Sequence, residues 1–432
     1  MTTQTTVELL VPPDPFLDDD MRNPPLGLLY LAAVVRQAGY QVRITDLRSR
    51  KQEEFSELIG ESDIYGVTSA SPEYPMALAI ARIAKSKNPE GRTVIGGIHA
   101  TSVPDSIDPV FDKIVVGEGE DSFLRLLRDR ESGEDGPRIY RSPPIEDLDA
   151  LPYPARDMLP FDAIFSKNAF SVGGDHAGTL ITSRGCPCHC SFCASDAMWG
   201  NRLRFRSPDN VIGELKQVIQ QYGVRCFRFQ DDTMTVKKAR LKELCQKMAP
   251  LNIRWRATTR VDQADLERLQ MMKDAGCEEI GYGVESLAQE VLERNAKKIS
   301  VGQVREALDN TAKVGIKARL FFIIGLPGEP RGFTERLRAF LGQVQADGID
   351  ISTLVPYPGS DIYHNPGKYG IKMKHADYNS YHMTLGLREN EIERPLTFIH
   401  DVLSEEEILR ERRSSLELIK QYRMVRNFRD TK

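Results

Sequence analysis

Four of the seven cysteines in this 432-residue chain crowd into one short segment, Ser183-Arg-Gly-Cys-Pro-Cys-His-Cys-Ser-Phe-Cys193. Cys186, Cys190 and Cys193 have the spacing C-x3-C-x2-C, and thiolates are the usual ligands of iron–sulfur clusters. Three thiolates on one loop can hold three irons of a cubane and leave the fourth iron open. An open metal position is what lets a site bind and activate a substrate. A zinc knot is the competing reading, because Cys188 and His189 offer two further ligands. Closed structural zinc sites usually draw on two separated ligand pairs, and no second pair lies nearby. Spacing alone does not exclude a triad of Cys186, Cys188 and Cys193. Cys226, Cys245 and Cys277 stand singly on apolar stretches, where a buried inert thiol is the ordinary expectation.

The bulk numbers narrow the field. An odd cysteine count with this crowding does not suit a disulfide framework, and a reducing, cytoplasmic compartment is expected. Hydrophobic residues make up 41% of the chain and the net charge is -4. Packed globular structure follows, with no general nucleic-acid or membrane footprint. The alternation Arg202–Arg204–Arg206 is the one local basic cluster, and three residues do not make a binding surface. No apolar run reaches the length of a membrane span, and Met1 to Thr6 lacks the pattern of a secretory signal.

The cysteine loop must be positioned by the elements around it. Residues 1–130 alternate short apolar runs with amphipathic stretches. Strands are expected at Val7–Val11, Val42–Asp46, Asp63–Ser69, Thr93–Gly97 and Lys113–Val116, with a helix over Leu26–Gln37. That alternation implies an α/β fold with a parallel, doubly wound, Rossmann-like sheet. A ligand there would sit beyond the carboxyl ends of the strands, near Pro12–Pro25, Ser69–Pro75 and Gly96–Thr101. Residues 131–177 break the pattern with Gly133, Gly136, Pro143–Pro144 and Leu151-Pro-Tyr-Pro154, and read as a linker.

A second alternation fills 178–358. Its expected strands are Thr179–Thr182, Cys226–Gln230, Arg254–Thr258, Glu279–Val284, Lys317–Ile324 and Asp350–Val355. Helices are expected at Pro208–Tyr222, Val236–Met248 and Gln263–Asp274. Six β/α units fit a partial TIM-type barrel, with chemistry at the carboxyl ends of its strands. Residues 359–432 read as a C-terminal helical cap over the barrel mouth. Its helix, near Ser404 to Met424, carries Arg410, Arg412, Arg413 and Lys420 on an expected solvated face.

The loop resembles the signature of the radical S-adenosylmethionine (SAM) superfamily, and the likeness extends over roughly 179–358. It implies a [4Fe-4S] cluster on Cys186, Cys190 and Cys193, with Cys188 a bystander that departs from the usual signature. Phe192 occupies the position that in the family lies against adenine. Phe229-Gln-Asp-Asp-Thr-Met234 is similar to the segment that receives the methionyl amine of SAM, which implicates Asp231 and Asp232. Gly281-Tyr-Gly-Val-Glu-Ser286 resembles the GxES-type segment that contacts SAM, through Glu285 and Ser286. Phe321-Phe-Ile-Ile-Gly-Leu-Pro-Gly-Glu329 resembles the segment that holds adenine by backbone groups, at Ile324 and Gly325. Taken singly each has a plainer reading, an N-cap for either aspartate or barrel core for the strands. The resemblance implies cleavage of SAM to a 5′-deoxyadenosyl radical, with electrons from an external donor such as flavodoxin or ferredoxin.

The first 130 residues resemble the cobalamin-binding domain that precedes the barrel in many radical SAM enzymes. The likeness rests on Pro25-Leu-Gly-Leu-Leu-Tyr-Leu-Ala33, Val94-Ile-Gly-Gly-Ile-His-Ala-Thr101 and Val116-Gly-Glu-Gly-Glu-Asp121. Gly96 and Gly97 would let backbone approach a bulky planar ligand. His99 and Thr101 would face the crevice, or His99 is simply a helix N-terminal residue. No D-x-H-x-x-G is present, so no axial histidine is named. The implied activity is cobalamin-dependent methyl transfer to an unactivated carbon of a small molecule. The alternative is a cobalamin-independent dehydratase, cyclase or rearrangement enzyme, such as an aminoglycoside diol dehydratase, with the domain kept for structure or substrate binding.

Overall fold

A computed structural model describes residues 5–14, 19–167, 174–374, 378–381 and 392–429. Residues 1–4 of the N-terminus and 15–18 of the Pro12–Pro25 loop lie outside that set, as do parts of the linker and of the C-terminal segment. The chain forms two compact units. The first comprises Met1–Thr179, Ser183–Pro187 and Ala194–Val224, the second Leu180–Thr182, Cys188–Cys193 and Arg225–Lys432.

In the first unit β1 (Thr6–Val11), β2 (Gln41–Asp46), β3 (Ile64–Thr68), β4 (Arg92–Gly96), β5 (Lys113–Val116) and β6 (Ile139–Arg141) form one parallel sheet in the order β2-β1-β3-β4-β5-β6. The order reverses at β1, which is the topological switch point of a doubly wound sheet. Helices α1 (Leu26–Gln37), α2 (Phe55–Leu58), α3 (Tyr74–Lys87), α4 (Ile98–Ser102) and α5 (Gly119–Glu131) connect the strands. Val7, Leu9 and Val11 pack with Leu28, Ala32 and Val35 of α1 and with Phe123, Leu126 and Leu127 of α5. These are the alternate residues of a strand meeting the apolar stripe of each helix. The sixth strand, β6, lies within the segment read as linker.

A second sheet has six strands: β7 (Ala177–Leu180), then, after the short pair β8 (Ser183–Arg184) and β9 (Arg204–Phe205), β10 (Cys226–Phe229), β11 (Arg254–Thr259), β12 (Cys277–Glu285), β13 (Lys317–Ile324) and β14 (Gly348–Thr353). Their order, β14-β13-β12-β11-β10-β7, follows the chain, as in an open (β/α) barrel. From β10 to β14 all the pairs are parallel. Helix ends are set by their caps. Ser207 accepts from the amide of Asn210 at the start of Pro208–Tyr222, and Gly223 closes it in a left-handed conformation, φ 70°. Ser300 and Gln303 form a capping box on Val301–Val314.

The basic alternation is not a surface feature. Arg202 is exposed and pairs with Glu146, but Arg204 and Arg206 are buried against Glu118 and Glu214. Arg412 departs from the expected solvated face as well. It is buried, donating to Thr353 Oγ1 and to the carbonyls of Ile392 and Arg394. Among the described residues no helix is long and apolar enough to cross a membrane.

Candidate cofactor sites of the two units

The stem of the cysteine loop belongs to the first unit. Arg184, two residues before Cys186, is buried and donates to Glu118 at 2.7 Å and Glu120 at 2.6 Å. Its guanidinium lies over the ring of Trp199, 4.9 Å from the centroid. Arg204 adds a third contact, to Glu118 Oε1 at 2.5 Å. Glu118 and Glu120 of Val116-Gly-Glu-Gly-Glu-Asp121 are therefore spent on holding the loop stem. A buried carboxylate persists only when paired in this way.

The rest of the loop belongs to the second unit. Cys188 and Cys190 are half-buried, Cys193 is exposed, and none of the cysteines is in a disulfide. Burial pushes the Cys190 thiol up, while Lys297 and Arg260 beside it pull the other way. Phe192 is half-buried. Among the described residues no three of His, Cys, Asp and Glu are already gathered at a metal-binding site. Softness of the donors and nearby cations fit an anionic iron–sulfur centre. The three remaining cysteines are buried. Burial pushes Cys245 up to about 12 and Cys277 well above its ordinary value, as expected of inert thiols.

At the strand ends of this unit the expected SAM contacts divide. Asp231 is buried, and its Oδ1 accepts from the amide (2.9 Å) and hydroxyl (3.1 Å) of Thr182. Asp232 beside it is exposed. Glu285 is a non-glycine residue at φ 70°, an arrangement that recurs at functional sites. Its Oε1 accepts from buried Lys297 Nζ at 2.8 Å. Burial disfavours the Lys297 charge, but Glu285 and Cys190 together raise it and favour the protonated ammonium. A Cβ at Gly283 would fall 2.5 Å from Glu285 Oε1 and 2.9 Å from Lys297 Nζ, so the glycine makes room for the pair. The Ser286 hydroxyl donates to Glu329 and accepts from the amide of Ala288. Burial raises Glu329 to about 7 against the opposing pull of Arg336. Ile324 is buried, and Gly325 follows it at φ 80°, where a Cβ would meet Ile408 at 3.3 Å and Phe398 at 3.5 Å.

Nothing in the sequence signals the segment Asn295–Lys298, which links these pieces. Lys297 lies twelve residues from Glu285, and no periodicity signals the pair. Two adjacent lysines after a short helix, Lys297 and Lys298, offer nothing to distinguish the buried one from a solvated one.

In the first unit the carboxyl ends of β4 and β5 present bare backbone. A Cβ at Gly96 would meet nothing closer than 3.7 Å, one at Gly119 likewise, and one at Gly117 nothing within 4 Å. That is a cradle which a broad, flat ligand such as a corrin can approach. Gly97 differs: at φ 90° its Cβ would strike Thr68 Oγ1 and the Ser69 carbonyl at 2.8 and 2.9 Å. His99 is fully buried, 3.0 Å from Ser71 Oγ and with its ring tilted against that of Tyr74, and burial lowers it to about 4. Thr101 Oγ1 accepts from the Gly117 amide at 2.9 Å, tying α4 to the end of β5. Of the four residues expected to meet a corrin, Gly96 presents open space, and the other three brace the loops beneath it.

Known proteins share this layout. The family description "Radical SAM superfamily" matches residues 180–341, and "B12 binding domain" matches residues 20–127. The chain is 32% identical over 364 residues to "Uncharacterized methyltransferase PH0819" of Pyrococcus horikoshii, covering 79% of this chain and 78% of that one. It is 28% identical over 388 residues to an anaerobic magnesium-protoporphyrin IX monomethyl ester cyclase of Rubrivivax gelatinosus, covering 83% and 68%. Its fold is similar to that of TsrM, a radical SAM methyltransferase of Kitasatospora setae whose structure holds cobalamin and a [4Fe-4S] cluster. There the TM-score is 0.67 at 17% identity, over 87% of this chain and 78% of that one. The chain belongs to the radical SAM superfamily, as a member with a B12-binding domain ahead of its radical SAM domain.

Proposed function

We propose that this enzyme transfers a methyl group to an unactivated carbon of a small molecule, using cobalamin, a [4Fe-4S] cluster and SAM. The observation that carries the reading is a bare glycine cradle at the ends of β4 and β5 in the same chain as the cysteine loop. The 32% identical methyltransferase supports it. When bound, the cluster and SAM supply a carbon-centred radical and cobalamin a methyl carrier.

The chain's own residues bind and orient. Cys186, Cys190 and Cys193 hold three irons, with an external one-electron donor of the flavodoxin or ferredoxin kind. Glu285, fixed by Lys297, and Asp232 face the amino-acid end of SAM, and Asp231 holds the strand exit at Thr182. Phe192 and the backbone at Ile324 and Gly325 contact adenine, and Ser286 braces that site through Glu329. Gly96 admits the corrin, while Gly97, His99 and Thr101 shape the loops under it.

The similarity to a cyclase favours one second reading, ring closure by the adenosyl radical without methyl transfer. Product stoichiometry separates the two. Methyl transfer consumes two SAM per turnover, leaving one S-adenosylhomocysteine and one 5′-deoxyadenosine per methylated product. Cyclisation leaves 5′-deoxyadenosine and no S-adenosylhomocysteine.

A further inference from the structure

Ser191 lies between Cys190 and Cys193 in the loop and is buried. Its amide donates to the Asn295 carbonyl at 3.0 Å and its hydroxyl to Asn295 Oδ1 at 2.8 Å. Asn295 is itself fully buried, and its Nδ2 donates to the carbonyls of Val291 at 2.8 Å and Pro327 at 3.0 Å. Both amide hydrogens and the amide oxygen are thus in use. Pro327 belongs to the segment that follows β13. The residues after Asn295 extend the same bracing. Ala296 and Lys298 take left-handed backbone, φ 53° and 51°, in a tight reversal that carries Lys297 to Glu285 at the end of β12. Arg260, just past β11, donates to the carbonyls of Lys297 at 2.9 Å and Lys298 at 3.1 Å. Four residues therefore join the cysteine loop to the ends of three consecutive strands. Strained backbone of this kind persists only where its surroundings hold it, and it gathers at sites whose geometry matters.

We infer that Asn295 is a positioning residue for the cluster and its SAM: through Ser191 it fixes where the Cys190–Cys193 turn sits against the strand ends that bind SAM. The assignment rests on the reading of this loop as the cluster site. Asn295 touches neither iron nor SAM. It sets the distance between the groups that do, and a misplacement of about 1 Å in such a site is felt in binding and rate.

The test uses full-length protein, anaerobically reconstituted with iron and sulfide, in wild-type, Ser191→Ala, Asn295→Ala and Asn310→Ala forms. Asn310 is a buried asparagine of the same unit that donates to the Ala264 carbonyl, outside this bracing, and serves as control. Iron content, melting temperature, SAM affinity and the electron paramagnetic resonance spectrum of the reduced cluster with and without SAM are measured. Ser191→Ala, which removes one hydrogen bond and leaves the fold, should keep its iron but bind SAM roughly tenfold more weakly. Its spectrum should broaden, and its response to SAM should need correspondingly more SAM. Asn295→Ala should do the same more strongly, and Asn310→Ala should lower the melting temperature alone. If Ser191→Ala and Asn295→Ala lose thermal stability while SAM affinity and spectrum match wild type, the bracing is structural and the inference falls. Should Asn295→Ala not fold, the Ser191→Ala result decides. A wild-type protein that takes up no cluster overturns the site reading and the inference together.

Discussion

The candidate sites of the two units are built by opposite means. At the ends of β4 and β5 the first unit offers backbone: Gly96, Gly117 and Gly119 leave open space, and its one nearby imidazole, His99, is buried and neutral. At the ends of β10 to β13 the second unit offers charge: Glu285 with Lys297, Arg260 beside the cysteines, and Glu329 with Arg336. A large planar ligand needs room and close backbone approach, so small residues suffice and no single side chain is decisive. A zwitterionic ligand at an iron centre needs fixed charges, and buried charges must be paired before the ligand arrives. Substitutions should therefore act through shape in one unit and through uncompensated charge in the other.

The largest effect is expected at the cysteines. Ala at Cys186, Cys190 or Cys193 should abolish iron–sulfur absorbance after reconstitution, and Cys188→Ala should retain it. Loss with Cys188→Ala and retention with Cys190→Ala would exchange their roles.

Next comes the buried pair. Glu285→Gln leaves Lys297 charged and unpaired in the interior, a change that costs about 3–5 kcal/mol in comparable sites. It should lower the melting temperature and SAM affinity together. The double variant Glu285→Gln, Lys297→Met should recover most of the stability and none of the affinity. If affinity returns with stability, Glu285 acts only through folding.

Glycine variants should give the opposite pattern in the first unit. Gly96→Val has ordinary contact distance around its Cβ, so it should fold, melt near wild type and fail to bind cobalamin. Gly97→Leu should be unstable whether or not cobalamin is present, because its backbone at φ 90° and its 2.8 Å approach to Thr68 exclude a side chain. Wild-type cobalamin uptake by Gly96→Val would remove the cradle from the account.

The smallest effect is in pH dependence. Glu329 is raised to about 7, so its contribution to stability is full below its ordinary 4.5 and lost as pH rises through 7. His99 is lowered to about 4, so its contribution is full above 6.5 and lost as pH falls through 4. Glu329→Gln should therefore gain on wild type between pH 5 and 8, and His99→Gln should gain on it between pH 6.5 and 4. Parallel melting curves for variant and wild type would show that these groups keep ordinary affinities for protons.

Much of this was legible in the chain because it is written in local signals. Leu26–Gln37 and Pro208–Tyr222 have the predicted bounds, since Gly39 and the Ser207–Pro208 and Gly223 caps punctuate them. The cysteine spacing pointed to the loop proposed for the cluster, while leaving the choice between Cys188 and Cys190 open. What stayed hidden depends on contacts distant in sequence. Strand β6 has three residues among glycines and prolines, and only pairing with β5 makes it a strand. Arg204, Arg206 and Arg412 look solvated until Glu118, Glu214 and Thr353 are brought to them. Glu118 and Glu120 carried the likeness to a cobalamin domain, yet their carboxylates brace Arg184.

The central claim is that one chain carries both cofactor sites, and the most direct measurement counts both. Protein purified anaerobically with cobalamin supplied, then reconstituted with iron and sulfide, is analysed for iron, sulfide, zinc and corrin per chain. The account predicts iron and sulfide in the proportions of one cubane, one corrin, and no stoichiometric zinc. Zinc in place of iron, or a full cluster with no corrin at saturating cobalamin, would contradict it.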